Sequence, residues 1–503
     1  MGGGCRATVR IRVRATGVRE FSMARDYIPV DRDQLFLVPP DMREWLPVDH
    51  LVWWLLAVVE RLDTSALHRS RRRGGQGRAG YDPDMLLALL IYAYCTKVRS
   101  SRQIERLCET DVAFRVICAG RAPDHSTIAR FRQEHARSAK QLFADVLELC
   151  AQAGLAQVGV VAVDGTKIAA NASKAASRDR RWLERQIAEM FDEAEHTDSD
   201  ENDRFGPDRG DQLPAELADP EGRKARLEAA LAELERREKQ AGESHTHKWQ
   251  RHLDTAETKL VAARQRWAHN QATKNPAKPG RRPKHPEGVR VAQAQAQVDK
   301  IKARIAARDD NPIKVNLTDP DSRLMTSKDG WVQGYNAQAA VNETGIIIAA
   351  EVFCDPNDLN LFKPMIAALT ATQELTGPVG VVLADAGYCS KANLTTAGPT
   401  RLIATTAARK VRADDQTTSG LPPSDADPVT AMAHTLRTPE GRRLYKQRSW
   451  TVEPGFGNIK TNLGFTRFSR RGKTAAQAEW HLITTAANLL KLHRWHPGAI
   501  RTA

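Results

Sequence analysis

Two short apolar runs each lead directly into an aspartate, and this repeated pattern constrains the chain more than any other feature. The runs are Val160-Val-Ala-Val-Asp164 and Val381-Val-Leu-Ala-Asp385. Valine-rich segments of this length are typical of buried strands, so both aspartates are expected at strand ends of one sheet. A third carboxylate, Glu453, follows in a basic segment. Three carboxylates on separate elements can hold two divalent ions about 3.5–4 Å apart, the arrangement that chemistry at a phosphodiester needs.

The remaining β pattern predicts that these strands share a sheet with others. Segments rich in β-branched residues alternate with turn residues, and Asn342-Glu-Thr-Gly345 is typical of a hairpin turn. The predicted strands are 158–171, 334–342, 345–353, 379–384 and 402–406.

Residues 80–150 carry a helical pattern. Ser100 begins a capping-box motif, and Asp124 or Ser126 can cap a helix over residues 127–150. Short helices joined by tight polar turns suit a helix-turn-helix-like DNA reader, whose basic residues would contact phosphates or base edges. The alternative is the solvated face of an ordinary helical bundle. The basic residues along the last helix are Arg130, Arg132 and Arg137.

A charged insertion of residues 176–315 separates the first predicted strand from the next. It contains two apolar seams with steps of three and four residues, as in a coiled coil, and residues 275–288, rich in proline and basic residues, can join them as an antiparallel hairpin. A third helical segment near Leu231 follows an acidic stretch, 195–221, expected to be mobile. The insertion is either a spacer without function or a device for dimerisation or for gripping DNA. The seams are Trp249, Leu253, Ala256, Leu260, Ala263 and Trp267, and Val291, Ala294, Val298, Ile301 and Ile305.

Charge and composition favour a polyanionic partner. The formal net charge is +14 and the pI is near 9.5, and lysine or arginine that neutralises phosphate releases condensed counterions. Between Arg437 and Lys473, ten basic residues accompany two acids. No apolar run approaches the length of a membrane-spanning helix. The seven cysteines lack zinc-ligand spacing and are interpreted as reduced thiols of a cytoplasmic protein.

Several residues allow both a functional interpretation and a simpler structural one. Asp355 and Asp358 follow a predicted strand and precede a helix, so N-capping accounts for one of them. Gly472-Lys-Thr lacks the preceding glycine of a phosphate-binding loop, so ATP dependence is not supported. Trp450 could stack on an extruded base, although a core position is the commoner role for tryptophan.

The residues around the three carboxylates resemble the catalytic blocks of bacterial insertion-sequence DDE transposases, in the group named for its Tyr-Arg-Glu-Lys signature. The similar blocks are Val163-Asp-Gly-Thr-Lys167, Ala384-Asp-Ala-Gly-Tyr388 and Tyr445 to Lys460, in the family's order. Segments 81–135 and 328–338 extend the resemblance to most of the chain outside the insertion. Four residues separate Arg448 from Glu453, where the family pattern has three.

The resemblance implies a ribonuclease H-like mixed α/β sheet with flanking helices. It also implies that Asp164, Asp385 and Glu453 bind Mg²⁺, replaceable by Mn²⁺, as two ions. Tyr445, Arg448 and Lys460 would contact phosphates at the transposon end, and a helix beginning near Glu453, with Pro454 in its first turn, would carry Lys460 on the same face. The basic strip adds Arg470 as a DNA contact.

The implied function is a transposase that binds inverted-repeat ends, cleaves them and joins them to target DNA. Its partners would be double-stranded DNA and a second copy of the chain, as a homodimer or higher oligomer, in the cytoplasm at the nucleoid. A noncatalytic DNA-binding repressor, including a decayed copy, and a structure-selective nuclease remain alternatives.

The predicted organisation has four parts: a disordered tail, a helical DNA-binding domain, a catalytic domain and the helical insertion that interrupts it. Their bounds are 1–22, 23–152, 153–175 with 316–498, and 176–315.

Overall fold

The computed structural model describes residues 41–69, 80–187, 220–273, 288–306, 313–327, 330–405 and 417–495. The predicted tail, the acidic stretch 195–221 and the break 275–288 lie wholly or almost wholly outside these residues. All elements discussed below belong to one compact unit, Pro47–Ala503. Among the described residues, no helix combines the length and the apolar character needed to cross a membrane.

Six strands of the described chain form one mixed sheet, in which β6, β5, β1, β7 and β8 are successive neighbours. Strand β5 pairs antiparallel with β1 and with β6, whereas β7 and β8 run parallel to β1. Strand β4 pairs with the beginning of β5. This order is consistent with the expected ribonuclease H-like sheet. The strands are β1 (Val160–Ala169), β2 (Ser177–Arg178), β3 (Val315–Asn316), β4 (Arg323–Ser327), β5 (Gly330–Asn342), β6 (Ile347–Phe353), β7 (Val381–Ala384) and β8 (Thr400–Ile403), of which β2 and β3 form a separate pair.

Seven helices precede the sheet in the described chain, and their starts follow local capping chemistry. Ser100 and Asp124 accept hydrogen bonds from the first turns of α4 and α6, as predicted. The helix predicted over 127–150 is instead two helices, because a short 3-10 turn separates α6 from α7. The helices are α1 (Leu51–Val59), α2 (Ser65–Arg69), α3 (Pro83–Cys95), α4 (Ser101–Thr110), α5 (Val112–Ile117), α6 (His125–Glu134) and α7 (Ala139–Gln152).

In the part of the insertion that the structure describes, two long helices contribute to two separate apolar clusters. Helix α8 (Pro220–Ala272) includes both the segment near Leu231 and the first seam. The predicted third helix is therefore part of one continuous helix. Its far part packs against α9 (Val289–Ala306), around Leu260 and Val298. Its near part packs around Leu234 on residues next to the sheet. At 1.5 Å per residue, the 53 residues of α8 span roughly 80 Å.

The remaining helices cover the sheet and connect it to the N-terminal helices. The last helix, α15, contacts β6 as well as α3 and α7, so the sheet and the N-terminal helices share its buried face. Its buried residues include Trp480, whose Nε1 donates to the carbonyl of Gln338. The helices are α10 (Phe362–Thr370), α11 (Gln373–Thr376), α12 (Lys391–Leu394), α13 (Pro428–Arg437), α14 (Pro439–Gly457) and α15 (Lys473–Trp495), with a π-helix, Asn458–Asn462, after α14.

Candidate active site

Asp164 lies in β1, and Asp385 directly follows the adjacent parallel strand β7. Val163 is in register with Ala384, the last residue of β7, so the two aspartates follow at neighbouring positions. Asp164 is in β1, and its Oδ1 accepts a hydrogen bond from the amide of Gly165 (2.8 Å). Asp385 accepts one from the amide of Gly387 (2.8 Å), at the start of a short 3-10 turn. Strand pairing therefore brings together two carboxylates that are 221 positions apart in the sequence.

Arg448 connects the two aspartates. Its Nη2 lies 2.6 Å from Oδ2 of Asp164 and 3.9 Å from Oδ2 of Asp385. The guanidinium comes from α14, which packs across β1 and β5. Its Nε is buried and has no hydrogen-bond partner among the described residues. The side chain thus supplies the positive charge between two acids without using all of its donors.

Burial controls the electrostatics of Asp164. Burial, with smaller contributions from the charges of Asp385 and Asp358, raises the pKa of this carboxyl to about 6 against the opposing effect of Arg448. Nearby, burial raises the pKa of Tyr445 to about 12. A carboxyl whose pKa is shifted by burial and by a specific charged partner is typical of functional sites.

Glu453 lies on the same helix as Arg448, with an exposed side chain. Its charge contributes to the electrostatics of the Arg448 guanidinium. The expectation that a helix begins near Glu453 is wrong, because α14 already begins at Pro439 and contains Pro454 in its interior. A π-helix follows before Lys460 is reached, so simple two-turn spacing does not relate Glu453 to Lys460.

The other residues of the signature segment are near the site in different ways. The hydroxyl of Tyr445 donates to the carbonyl of Ala384 (3.3 Å), immediately before Asp385. Nζ of Lys460 donates to the carbonyl of Lys167 (3.3 Å) in β1. The expectation of a core position for Trp450 is wrong: the ring is 62% exposed.

The predicted DNA contacts outside this segment differ in their exposure. Arg130 is exposed, whereas Arg132 and Arg470 are half-buried. Arg132 donates to the carbonyl of Arg99 (2.9 Å), and Arg470 donates to the carbonyl of Arg132 (3.4 Å). Both half-buried guanidinium groups therefore have partners inside the protein, and their contact with DNA stays a prediction.

Sequence reasoning missed the role of Asp358. Neither Asp355 nor Asp358 caps a helix: α10 follows Leu361, which makes no side-chain cap. Oδ1 of Asp358 instead accepts hydrogen bonds from Lys167, Asn336 and Gln338. The donor distances are 3.2 Å from Lys167 Nζ, 2.7 Å from Asn336 Nδ2 and 3.0 Å from Gln338 Nε2. The available signal was the pair of polar residues at alternate positions, Asn336 and Gln338, in the strand that pairs with β1.

The donor set suits a hard divalent cation. Asp164, Asp385 and Glu453 offer only carboxylate oxygens, which Mg²⁺ and Mn²⁺ prefer. Arg448 already shows that a positive charge is stabilised between the two aspartates. Within the described residues, a tighter group of possible ligands, His68, Asp82 and Asp84, lies at the start of α3. There His68 pairs with Asp84, and Asp82 caps the helix.

Comparison with protein families gives two matches. Residues 40–134 match the family described as Transposase domain (DUF772), and residues 300–489 match Transposase DDE domain. No curated protein and no solved structure matches the chain. The second match contains Asp385 and Glu453 but begins after β1, because the insertion separates that strand from the rest of the sheet.

Proposed function

We propose that this chain, which belongs to the DDE transposases of the insertion-sequence type, binds the inverted-repeat ends of its own element. It then cleaves these ends and joins the free 3′ hydroxyl to target DNA. The observation that carries this proposal is the meeting of Asp164 and Asp385 across paired parallel strands, with Arg448 between them. Transposases of this family use divalent metal ions, and we propose Mg²⁺, as two ions held by these aspartates and Glu453.

Cleavage and joining are both in-line displacements at phosphorus, so one site serves both steps. Bound divalent ions would activate the attacking oxygen and stabilise the leaving oxygen. The chain itself positions the carboxylates and a guanidinium at the site. Asp164 and Asp385 are fixed by strand pairing, and Arg448 reaches the same place from α14, where a DNA phosphate would compete with the aspartates for its guanidinium.

DNA binding is assigned to two surfaces in this proposal. Tyr445, Arg448 and Lys460 would contact phosphates at the transposon end, with Lys460 near the cleaved strand. Helices α4 to α6, with Arg130 exposed on α6, would read the repeat sequence, with Arg132 and Arg470 as further phosphate contacts. Assembly as a homodimer or higher oligomer on paired ends, at the nucleoid, completes the proposal.

The test uses the full chain and DNA carrying the inverted repeats that flank its gene. Asp164→Asn, Asp385→Asn and Glu453→Gln should each abolish cleavage while end binding in a gel-shift assay stays nearly intact, because an amide keeps the shape of the carboxylate but binds metal poorly. The matched control is Glu440→Gln, on the first turn of the same helix as Glu453.

The possible outcomes separate the alternatives. A wild-type chain that binds ends but never cleaves would indicate a noncatalytic repressor. Cleavage of DNA without preference for the repeats would indicate a nuclease. Cleavage at the wild-type rate by any of the three variants would remove that residue from the catalytic set.

A further inference from the structure

A network of polar side chains lies beside the two aspartates, on the opposite face of β1 from Asp164. Its centre is Oδ1 of Asp358, which accepts from Lys167, Asn336 and Gln338. The hydroxyl of Tyr388 donates a hydrogen bond to Oε1 of the same Gln338 side chain. Since Asn336 and Gln338 are fully buried, the network is part of the sheet rather than a solvated surface.

The backbone is adapted to this network. Gly165 is in register with Gln338, and a Cβ at Gly165 would overlap the amides of Gln338 and Asn336. Only a residue without a side chain lets these amides cross the strand to reach Asp358. Glycine next to a catalytic aspartate is therefore required by the packing of the network.

The network is close to the acids. Oδ2 of Asp358 lies 3.4 Å, and Oδ1 of Asp385 3.0 Å, from the position that a Cβ on Gly387 would take. The two carboxylates thus flank the same residue. The charge of Asp358 also acts on Asp164. Any group that Asp358 holds is consequently held beside the reaction centre.

The group held in this way is the ammonium of Lys167. Its Nζ is 3.2 Å from Asp358, and its side chain is 15% exposed. A second lysine, Lys460, reaches the same strand and donates to the carbonyl of Lys167. Lys167 and Lys460 thus bring two ammonium groups to the same end of β1.

We propose that Lys167 is a further phosphate-binding residue of the reaction centre and that Asp358 is its positioning residue. The inference rests on the proposed function. An ammonium fixed before the substrate arrives stabilises charge that develops on the phosphate without reorganisation. The amides of Asn336 and Gln338 also donate to Asp358, and they fix the carboxylate that holds Lys167.

The test compares single-turnover cleavage by Lys167→Gln, Asp358→Asn and the double variant. Gln keeps a donor to Asp358 and removes only the charge. We expect Lys167→Gln to slow cleavage about 100-fold, while the Kd for the end DNA changes by no more than about threefold. Asp358→Asn should cause a similar loss, and the double variant should be no slower than either single variant, because paired residues act as a unit.

Controls distinguish this role from a purely structural one. Lys167→Arg, which keeps the charge, should recover about tenfold of the rate lost in Lys167→Gln, and Lys174→Met, an exposed lysine beyond β1, should cleave like wild type. If Lys167→Gln does not fold, the single-turnover cleavage rates of Lys167→Arg and Asp358→Asn are compared with each other. Equal cleavage by wild type and Lys167→Gln, or losses that multiply in the double variant, would overturn the inference. A wild-type chain that does not cleave would remove the proposed function instead.

Discussion

Arg448 stabilises the metal-free acids and would compete with metal for them. A guanidinium 2.6 Å from Asp164 neutralises a carboxylate that burial disfavours as an anion. Removal of one partner from such a pair leaves an uncompensated buried charge. A divalent cation can supply that compensation, and DNA phosphate can hold Arg448 elsewhere. Metal binding and DNA binding are therefore expected to favour one another.

Arg448→Met tests this coupling. Without DNA, the variant should bind Mn²⁺ about tenfold more tightly than wild type, since the competing cation is gone. With end DNA, wild type should gain Mn²⁺ affinity while the variant gains little. Calorimetric titration of Mn²⁺ measures both quantities. Arg443→Met, an exposed arginine of the same helix, is the control, and weaker Mn²⁺ binding by Arg448→Met would contradict the argument.

At the scale of elements, the insertion has a root and a distal hairpin with separate cores. At the root, Glu233 pairs with Arg237 and Arg323 (2.9 and 2.6 Å), which ties α8 to β4. Arg237 also donates to the carbonyl of Lys314 (2.9 Å). In the distal hairpin, the apolar cluster that the structure describes is formed by residues of α8 and α9. The insertion is thus attached to the sheet by ion pairs at its root. Removal of the distal hairpin leaves these ion pairs in place.

Replacing residues 253–304 with a short Gly/Ser linker should leave the catalytic sheet folded. The ends to be joined are close, because Lys302 pairs with Glu257 (3.1 Å) at this end of the hairpin. We expect Mn²⁺ binding to persist, since Asp164, Asp385 and Glu453 are all retained. We expect complexes of paired DNA ends in a gel-shift assay to be lost, if the hairpin grips DNA or a second copy.

A second variant separates these two roles. Lys259, Arg266 and Arg290 are exposed bases of the hairpin, and changing all three to Gln leaves its apolar core intact. Loss of paired-end complexes in this variant would indicate a grip on DNA, whereas wild-type behaviour would favour dimerisation. Paired-end complexes that survive even the deletion would show that the hairpin is a spacer.

At the scale of the molecule, α15 joins the sheet to the N-terminal helices, and His481 lies at that junction. Its Nε2 donates to the carbonyl of Ala350 (3.0 Å) in β6, and its ring stacks on Phe143 of α7. Burial lowers the pKa of His481 to about 4. The unfolded chain therefore binds a proton at a higher pH than the folded chain, and stability that is present above the unfolded pKa of about 6.5 is lost as pH falls toward 4.

His481→Phe should remove this acid sensitivity. The ring would still stack on Phe143, and the carbonyl of Ala350 would keep its bond from Gln477 Nε2 (3.1 Å). Between pH 6.5 and 4, wild type should lose up to roughly 3 kcal/mol more unfolding free energy than the variant. Urea unfolding across this range measures the difference. His269→Phe, an exposed histidine, should follow wild type, and parallel pH profiles for wild type and His481→Phe would contradict the account.

Much of the secondary structure was predictable because it depends on neighbours in the sequence. The valine-rich runs formed β1 and β7, and Ser100 and Asp124 capped helices as expected. Prediction failed where local signals compete: Pro454 suggested a helix start, but packing of α14 across β1 and β5 keeps it inside a helix. The extent of α8 was likewise not predicted, because no local signal separates the segment near Leu231 from the first seam.

The amino-acid sequence by itself determined which carboxylates and basic residues the chain can bring to a phosphodiester, since identity and local pattern carry that information. Tertiary structure alone decided which of them meet. Lys167 and Asp358 are 191 positions apart and Arg448 and Asp164 are 284 apart, so no local pattern relates them. Strand register and helix packing create these contacts, and the low polarity of the sheet's interior, which raises the pKa of Asp164, exists only once the chain has folded.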